Sequence, residues 1–360
     1  MMNNNKSHES VVEFVENEQP SASRIAICGQ FRGRGGDARV VEQQAIDLTE
    51  AGYEVAIFTL EADMDIPEGV RLQKVNPVQD YQLLSKLFWL LFSFSPWMLY
   101  TVWELRKFDL AITHRYPLTV ASYVASITSN TVYTYWSHPS ADTAGGFTGI
   151  AGVWSRIVHR FETESRTIAH ADYICAVSKD SKRYLESHIN RSAAVVPNKI
   201  NERRFTEAVD GRYLRDQYGI RNDDQVVLFV GRITERKNVH SLINIIEDIS
   251  SDVENLKLIV AGSASQKEYA KHVKNDAGPE TIFTGYVSDE ELAGLYSLAD
   301  VFTTCSLEEG WGLPITEAQY FGTPVVAFKS HPAAKEVNEK VLVDVGDYEE
   351  FKRGILKYLD

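Results

Sequence analysis

The clearest regularity of the 360-residue chain is an alternation of short apolar runs with segments of helical periodicity. In the first half, the apolar runs that predict strands are 24–28, 53–59, 109–113, 131–136, 173–177 and 194–196. In the second half, they are 225–230, 257–261, 281–284, 301–304 and 324–328. The helical pattern is clearest at 38–51 and 153–169. Apolar runs separated by helices are typical of parallel βαβ units.

A polar segment near residues 198–210 interrupts this alternation and predicts a linker. The predicted fold class is therefore α/β, with two doubly wound Rossmann-like domains that face each other across a cleft. We expect these domains at 24–200 and 201–360, and a chain of this length can bury two sizeable cores. Residues 1–23 are rich in Asn, Ser and Glu, which predicts a disordered tail without the features of a signal peptide.

Charge and cysteine content narrow the classes of function. The net charge of −13 argues against general affinity for nucleic acid, because contacts to phosphate need a basic surface. The cysteines Cys28, Cys175 and Cys305 lie in apolar runs without ligand-like spacing, so we expect them to be buried and reduced, with no structural metal. Reduced cysteines favour a cytosolic location.

The most informative motif is the stretch 308–318, in which two carboxylates flank a Gly-x-Gly turn and a proline. Pro314 suits the first turn of a helix, while Gly310 and Gly312 allow the backbone N–H groups to approach a ligand. The helix N-terminus favours an anion, and Glu309 and Glu317 add hydrogen-bond acceptors beside it. This combination suits a ligand that carries both phosphates and hydroxyls, such as a nucleotide sugar.

A second strand-to-helix junction supplies cations. The apolar run 225–230 is followed by Gly231 and Arg232, and Lys237 precedes the next helical pattern. Ligands of open α/β sheets bind at the carboxyl ends of the strands. One such junction alone is most simply explained by solvated surface charges. Two junctions that supply complementary groups favour a shared binding site.

At these motifs the chain resembles the retaining family 4 glycosyltransferases of the GT-B fold, over about residues 24–360. The matching residues are Gly231-Arg232 with Lys237, Glu309-Gly310-Trp311-Gly312-Leu313 with Glu317-Ala318, Gly322-Thr323-Pro324, Thr284-Gly285-Tyr286-Val287 before Leu295-Tyr296-x-x-Ala299-Asp300, Pro197-Asn198 and Gly35-Gly36-Asp37. The resemblance implies that Arg232 and Lys237 neutralise the leaving diphosphate. It also implies that Glu317 binds the donor ribose and that Tyr286 and Val287 hold the base. Glu309 and the N–H groups of residues 310–312 would then bind the transferred sugar.

The first domain is expected to bind the acceptor. Gly33, Gly35 and Gly36 follow the first strand as a phosphate-binding loop would, and Arg32, Arg34 and Arg39 surround them. His138 follows the strand 131–136 in a segment that resembles the histidine loop of mannosyltransferases acting on lipid-linked oligosaccharides. A lone histidine is more often structural than catalytic, but its position at a strand end makes it a catalytic candidate.

Residues 87–103 contain no charged side chain and include Trp89, Trp97, Tyr100 and Trp103. The run is short for a membrane span, which needs about twenty apolar residues. Its many Trp and Tyr side chains favour contact with a lipid interface over simple burial in the core.

These observations predict a metal-independent, retaining hexosyltransferase that uses a nucleotide-sugar donor and a lipid-linked or membrane-adjacent glycan acceptor. It would need no cofactor beyond that co-substrate and would lie at the cytoplasmic face of a membrane. Two alternatives stay open at this point. One is a soluble transferase that makes a disaccharide or a storage glucan, and the other is a non-catalytic protein that binds sugar nucleotides or glycans.

Overall fold

The structure is a computed structural model that describes residues 8–32, 35–78, 80, 85, 88, 92–138, 163–205 and 210–359. The chain divides into two compact units, Met1–Lys199 and Ile200–Asp360. Each unit is built on a sheet whose described strand pairs are all parallel. The predicted pair of doubly wound α/β domains is confirmed.

The first unit has a seven-stranded sheet in the order β3-β2-β1-β4-β5-β6-β7. Its strands are β1 (Arg24–Cys28), β2 (Glu54–Thr59), β3 (Arg71–Lys74), β4 (Leu110–Thr113), β5 (Val132–Ser137), β6 (Tyr173–Ala176) and β7 (Ala194–Val195). Its described helices are α1 (Val11–Glu18), α2 (Gly36–Glu50), α3 (Pro96–Leu105), α4 (Leu118–Thr128), α5 (Thr163–Ala169) and α6 (Lys179–Ile189). The strand order reverses between β1 and β4, which is where ligands bind in such sheets.

The second unit has a six-stranded sheet in the order β10-β9-β8-β11-β12-β13. Its strands are β8 (Gln225–Val230), β9 (Leu256–Ala261), β10 (Thr281–Gly285), β11 (Val301–Thr304), β12 (Val325–Phe328) and β13 (Lys340–Val343). Its described helices are α7 (Gly211–Tyr218), α8 (Val239–Ser250), α9 (Lys267–Asp276), α10 (Asp289–Leu298), α11 (Leu313–Tyr320) and α12 (Tyr348–Leu356). The order reverses between β8 and β11, the strands that precede the two predicted binding motifs.

Two strands escaped the sequence prediction, and both lie at the edge of a sheet. β3 pairs only with β2, and none of its four residues is buried. β13 pairs only with β12 and buries Val343 alone. Central parallel strands are covered on both faces and read as apolar runs, whereas an edge strand lacks that pattern.

The expectation of a disordered tail at 1–23 is wrong for its described part. Ser10 caps α1 by accepting a hydrogen bond from the N–H of Glu13 (3.1 Å). Phe14 of α1 is fully buried and packs edge-on against Trp136 (6.1 Å between ring centroids) and Tyr173 (5.8 Å). The apolar positions of this short helix outweighed the polar composition around them, because three of them face the core.

Several predicted features lie outside the described residues. They are Gly33 and Arg34 of the glycine loop, Trp89 of the uncharged run, and residues 153–162 of the helix expected at 153–169. All three cysteines are buried and free, as expected.

Candidate active site

The cationic junction of the second unit follows β8. A single 3₁₀ turn, Glu235–Lys237, leads to Asn238, which adopts a left-handed conformation (φ 54°) before α8 begins. A side chain on Gly262 would place its Cβ 2.0 Å from the carbonyl oxygen of Gly231, so the ends of β8 and β9 lie in close contact. This packing fixes the backbone that carries Arg232 and Lys237.

The second junction leads from β11 to α11. Gly312 precedes the helix with φ 105° and ψ 55°, a conformation that glycine adopts at little cost. Pro314 occupies the first turn of α11, as predicted. The loop between β11 and α11 therefore ends at a helix N-terminus without a capping side chain.

The two junctions meet at Glu309. The Lys237 ammonium forms a short ion pair with its Oε1 atom. The Arg236 guanidinium lies 3.2 Å from the same oxygen, and the Ser306 hydroxyl donates to it over 3.1 Å. No described residue bonds to Oε2. The carboxylate is thus anchored through one oxygen while the other can accept from a ligand.

Electrostatics keep this buried carboxylate ionised. Burial alone would raise the pKa of Glu309, but the positive charges of Lys237 and Arg236 lower it to about 2. The side chains of Glu309 and Lys237 are 11% and 12% exposed, so water screens their attraction little. A fixed charge pair of this kind is preorganised for a polar ligand.

His331 is a buried neighbour of this cluster that the sequence prediction missed. Its Nδ1–H donates to the carbonyl of Phe328 (3.1 Å), and its Nε2 accepts from the hydroxyl of Thr304 (3.3 Å). Burial lowers the pKa of His331 to about 4, against the opposing influence of Glu309. A neutral histidine therefore supports the loop from beneath.

The remaining residues predicted to bind the donor differ in exposure. Arg232 is exposed and makes no recorded bond with a described residue, so its charge is available to a ligand. Trp311 is largely buried, and its Nε1 lacks a partner among the described residues. Tyr286 is 55% exposed, whereas the adjoining Val287 is buried beyond the end of β10. Leu313 begins α11.

Glu317 is buried within α11 and bonds to two side chains that sequence spacing did not indicate. Arg204 and Tyr296 each donate to one of its carboxylate oxygens, over 2.8 Å in both cases. Their separations from Glu317 along the chain are 113 and 21 residues. Nothing in the local pattern of the sequence could have predicted either contact.

In the first unit, the half-buried His138 ends a hydrogen-bonded chain whose other two members, His114 and Gln44, are buried. The Oε1 atom of Gln44 on α2 accepts from His114 Nε2–H over 3.0 Å. His114 Nδ1 in turn accepts from His138 Nε2–H over 2.8 Å, with the two rings nearly parallel. Burial lowers the pKa of both histidines, that of His114 furthest. His114 and Gln44 were missed because they are distant from His138 and from each other in the sequence: His114 follows β4, and Gln44 lies on α2.

The arginines around the glycine loop are less available than predicted. Arg32 pairs with Glu61 (2.7 Å) and approaches Asp63 (3.5 Å). Arg39 is largely buried and pairs with Glu42 on its own helix (2.9 Å).

Gly35 and Gly36 form the start of α2, with Gly35 as its N-cap. A Cβ atom on either glycine would meet nothing within 4 Å, so the space beside them is open. Asp37 in this first turn pairs with Arg115, which follows β4. In the described part of the chain, no group of three or more His, Cys, Asp or Glu side chains could hold a metal ion.

Comparison with known proteins decides what this site belongs to. The family model described as Glycosyltransferase Family 4 matches residues 34–204. The model described as Glycosyl transferases group 1 matches residues 212–360, which include both junctions of the second unit. The chain is a glycosyltransferase with the GT-B fold. Its predicted nucleotide-sugar motifs therefore lie in the half of the chain that matches the group 1 model.

Three relatives show how the similarity is distributed. An uncharacterised glycosyltransferase of Methanocaldococcus jannaschii is 26% identical over 314 residues, which cover 81% of this chain and 76% of that protein. The alpha-monoglucosyldiacylglycerol synthase of Streptococcus pneumoniae is 32% identical over 118 residues, 32% of this chain and 26% of the synthase. A GDP-mannose-dependent alpha-mannosyltransferase of Corynebacterium glutamicum is 28% identical over 154 residues, 42% of this chain and 35% of that enzyme.

Solved structures agree on the fold. Sucrose-phosphate synthase from Thermosynechococcus elongatus superposes with a TM-score of 0.72 at 20% identity, covering 93% of this chain and 89% of that one. Anabaena HepE in complex with UDP and glucose gives a TM-score of 0.71 at 19% identity, covering 92% and 88%. Among the described residues, no helix has the length and apolar character needed to cross a membrane.

Proposed function

We propose that this glycosyltransferase moves a hexose from a nucleotide-diphosphate sugar to a lipid-linked or membrane-adjacent glycan acceptor, with retention at the anomeric carbon and without a metal. The observation that carries the donor half of the proposal is the Lys237–Glu309 pair beside the N-terminus of α11. In the reaction, the bond between the anomeric carbon and the diphosphate oxygen breaks, and negative charge grows on the diphosphate. An acceptor hydroxyl oxygen bonds to the anomeric carbon on the same face, and its proton passes to the leaving diphosphate.

Each group of the site has a task in this step. Lys237 and the exposed Arg232 stabilise the charge that develops on the leaving diphosphate, and the largely buried Lys237 does so with little screening by water. The free Oε2 of Glu309 and the N–H groups after Gly310 hold hydroxyls of the hexose. Glu317 accepts from the donor ribose, and the backbone near Val287 holds the base. The solved relative with bound UDP and glucose supports a donor of this chemical class.

The acceptor half of the proposal is supported by an exposed aromatic face on α3. Trp97, Tyr100 and Trp103 stand three residues apart, with ring centroids separated by 5.8 Å and 6.2 Å. The Lys107 ammonium lies 3.5 Å from the ring centroid of Trp103. Residues at this spacing share one side of a helix. Trp and Tyr with a nearby cation suit the headgroup region of an anionic membrane.

Exposure distinguishes this face from a core segment. Trp97 is 39% exposed and Trp103 is 56% exposed, while Phe94 just before the helix is 82% exposed. Val102 and Leu105 on the opposite side are buried in the core of the first unit. The relatives named as a monoglucosyldiacylglycerol synthase and a mannosyltransferase are consistent with a glycolipid product and a mannosyl donor. Peripheral attachment at the cytoplasmic face of a membrane follows from such an acceptor.

A thermal-shift panel tests the donor assignment. The panel contains UDP-glucose, UDP-galactose, ADP-glucose, GDP-mannose and dTDP-glucose, with free hexoses and nucleoside monophosphates as controls. A donor at 100 times its dissociation constant stabilises the folded state by about 2.7 kcal/mol. We expect at least one donor to raise the melting temperature and the Glu309→Gln variant to blur the preference between sugars. If no nucleotide sugar stabilises the folded parent, the donor site is wrongly assigned.

A further inference from the structure

Two side chains hold the Glu317 carboxylate in one orientation. Arg204 Nη1 donates to Oε1 over 2.8 Å, and the Tyr296 hydroxyl donates to Oε2 over 2.8 Å. Arg204 comes from the 3₁₀ turn Glu202–Phe205 near the start of the second unit, while Tyr296 comes from α10. Arg204 is itself tied down by Asp289, which accepts from its Nη2 over 2.8 Å.

The charged and polar groups of this arrangement are buried, so each needs a hydrogen-bond or ion-pair partner within the protein. The side chains of Arg204 and Glu317 are only 11% and 6% exposed, and Tyr296 is fully buried. A buried carboxylate left without a cation destabilises a folded protein strongly, and the Arg204 guanidinium compensates the burial of the Glu317 carboxylate. Burial alone would lower the pKa of Arg204, but the hydrogen bonds and charges of Asp289 and Glu317 raise it above its usual value. Arg204 is therefore a fixed cation beside the Glu317 carboxylate.

The remaining hydrogen-bonding capacity of Glu317 has a defined shape. An ionised carboxylate offers roughly four acceptor positions, two on each oxygen. Arg204 uses one position on Oε1 and Tyr296 uses one on Oε2. One position on each oxygen is left, and two adjacent acceptors match two neighbouring hydroxyl groups. The 2′- and 3′-hydroxyls of a ribose are such a pair.

We propose that Arg204 and Tyr296 are positioning residues that present Glu317 to the ribose hydroxyls of the donor. The inference rests on the proposed function, in which Glu317 binds the ribose. Ribose recognition would then depend on two residues that are remote from the binding motif in sequence. Removing either should weaken the discrimination between a ribonucleotide and its deoxy analogue, and a purely structural role would not.

The test compares nucleotides with and without the 2′-hydroxyl by calorimetric titration. UDP, ADP and GDP are titrated into the full chain, and the tightest binder is then compared with its 2′-deoxy form. We expect the parent to bind the 2′-deoxy form at least about 10-fold more weakly, because a site built for a hydroxyl rejects the analogue that lacks it. In Arg204→Met and Tyr296→Phe, that ratio should fall to about 3 or less, mainly through weaker binding of the ribonucleotide.

Two further variants make the result decisive. Asp289→Asn removes the negative charge of the second partner of Arg204 but leaves both bonds to Glu317, so the ratio should stay near that of the parent. Arg204→Lys keeps a cation and should restore part of the ratio. Tyr296→Phe removes a single hydroxyl and preserves the test if Arg204→Met fails to fold.

The outcomes separate the two proposals. If the folded parent binds none of these three diphosphates and no dTDP either, the proposed function itself fails. If the parent discriminates and both Arg204→Met and Tyr296→Phe discriminate equally well, the positioning role is overturned.

Discussion

The substitution Lys237→Met separates the structural role of this cation from its catalytic role. In the folded protein the pKa of Glu309 lies near 2, against an ordinary value of 4.5. That difference corresponds to about 3 kcal/mol in favour of the ionised carboxylate. Loss of Lys237 removes the largest favourable charge, but Arg236 and Ser306 still contact Oε1. We therefore expect the free energy of unfolding to fall by about 2 kcal/mol, less than for a fully unpaired buried ion.

The double variant Lys237→Met with Glu309→Gln should recover most of this loss. A neutral amide no longer needs the missing cation, so stability should return to within about 1 kcal/mol of the parent. Turnover should not return. Removing one preorganised protein group that stabilises the charge of a transition state typically lowers kcat about 100- to 1000-fold. That loss should be present in both variants, because the leaving diphosphate still lacks its cation.

Urea unfolding and release of nucleoside diphosphate from the preferred donor measure the two effects. The matched control is Lys271→Met, which removes an exposed lysine from α9 of the same unit and should change neither quantity. A folded Lys237→Met variant with near-parental turnover would refute the catalytic role. Recovery of turnover in the double variant would show that Lys237 serves only to neutralise Glu309.

Three further predictions concern other parts of the protein. The pKa of His331 lies near 4 in the folded protein and near 6.5 in the unfolded chain, so the neutral form stabilises the fold fully above pH 6.5, and this stabilisation is lost as the pH falls to 4. The free energy of unfolding should therefore drop by about 3 kcal/mol over this window, and His331→Asn should flatten its dependence on pH. His138→Ala should lower kcat about 100-fold with little change in donor affinity, and an unchanged kcat would exclude it as a general acid or base. Flotation of the parent with anionic liposomes should persist at high salt and should be lost in the double variant Trp97→Ser with Trp103→Ser. The control Ile127→Ser, which removes a 63% exposed apolar side chain elsewhere on the first unit, should float like the parent, and equal flotation of the parent and both variants would refute the lipid contact.

The central strands were predictable because their burial on both faces requires apolar residues, which are visible in the sequence. β1 and β8 match the predicted ranges, since parallel strands at the centre of a sheet are apolar along their length. The edge strands β3 and β13 were not predictable in this way, because they are partly exposed to solvent and lack a continuous apolar run. The helix α1 carried its signal in Ser10 and Glu13 at its start and in the buried Phe14, but composition was the wrong guide to it.

The residues of the candidate site also fall into those that the sequence predicted and those that it did not. Lys237 and Glu309 could be predicted, because each follows a strand end and the topology of a doubly wound sheet brings such ends together. Arg236 was detectable beside Lys237 but was not distinguished from a surface charge. Arg204 and His114 were beyond prediction, since their contacts depend on how distant elements pack. Local pattern thus identifies ligand-facing groups better than it identifies their supports.

Transfer of a labelled hexose tests the central claim most directly. The full chain is incubated with the labelled donor selected by thermal shift and with a total lipid extract plus soluble glycans, and the products are partitioned between organic and aqueous phases. The account predicts that label enters a lipid-linked product in the parent and that this transfer is lost in Lys237→Met. A folded, donor-binding protein that transfers label only to soluble glycans, or to nothing, would contradict it.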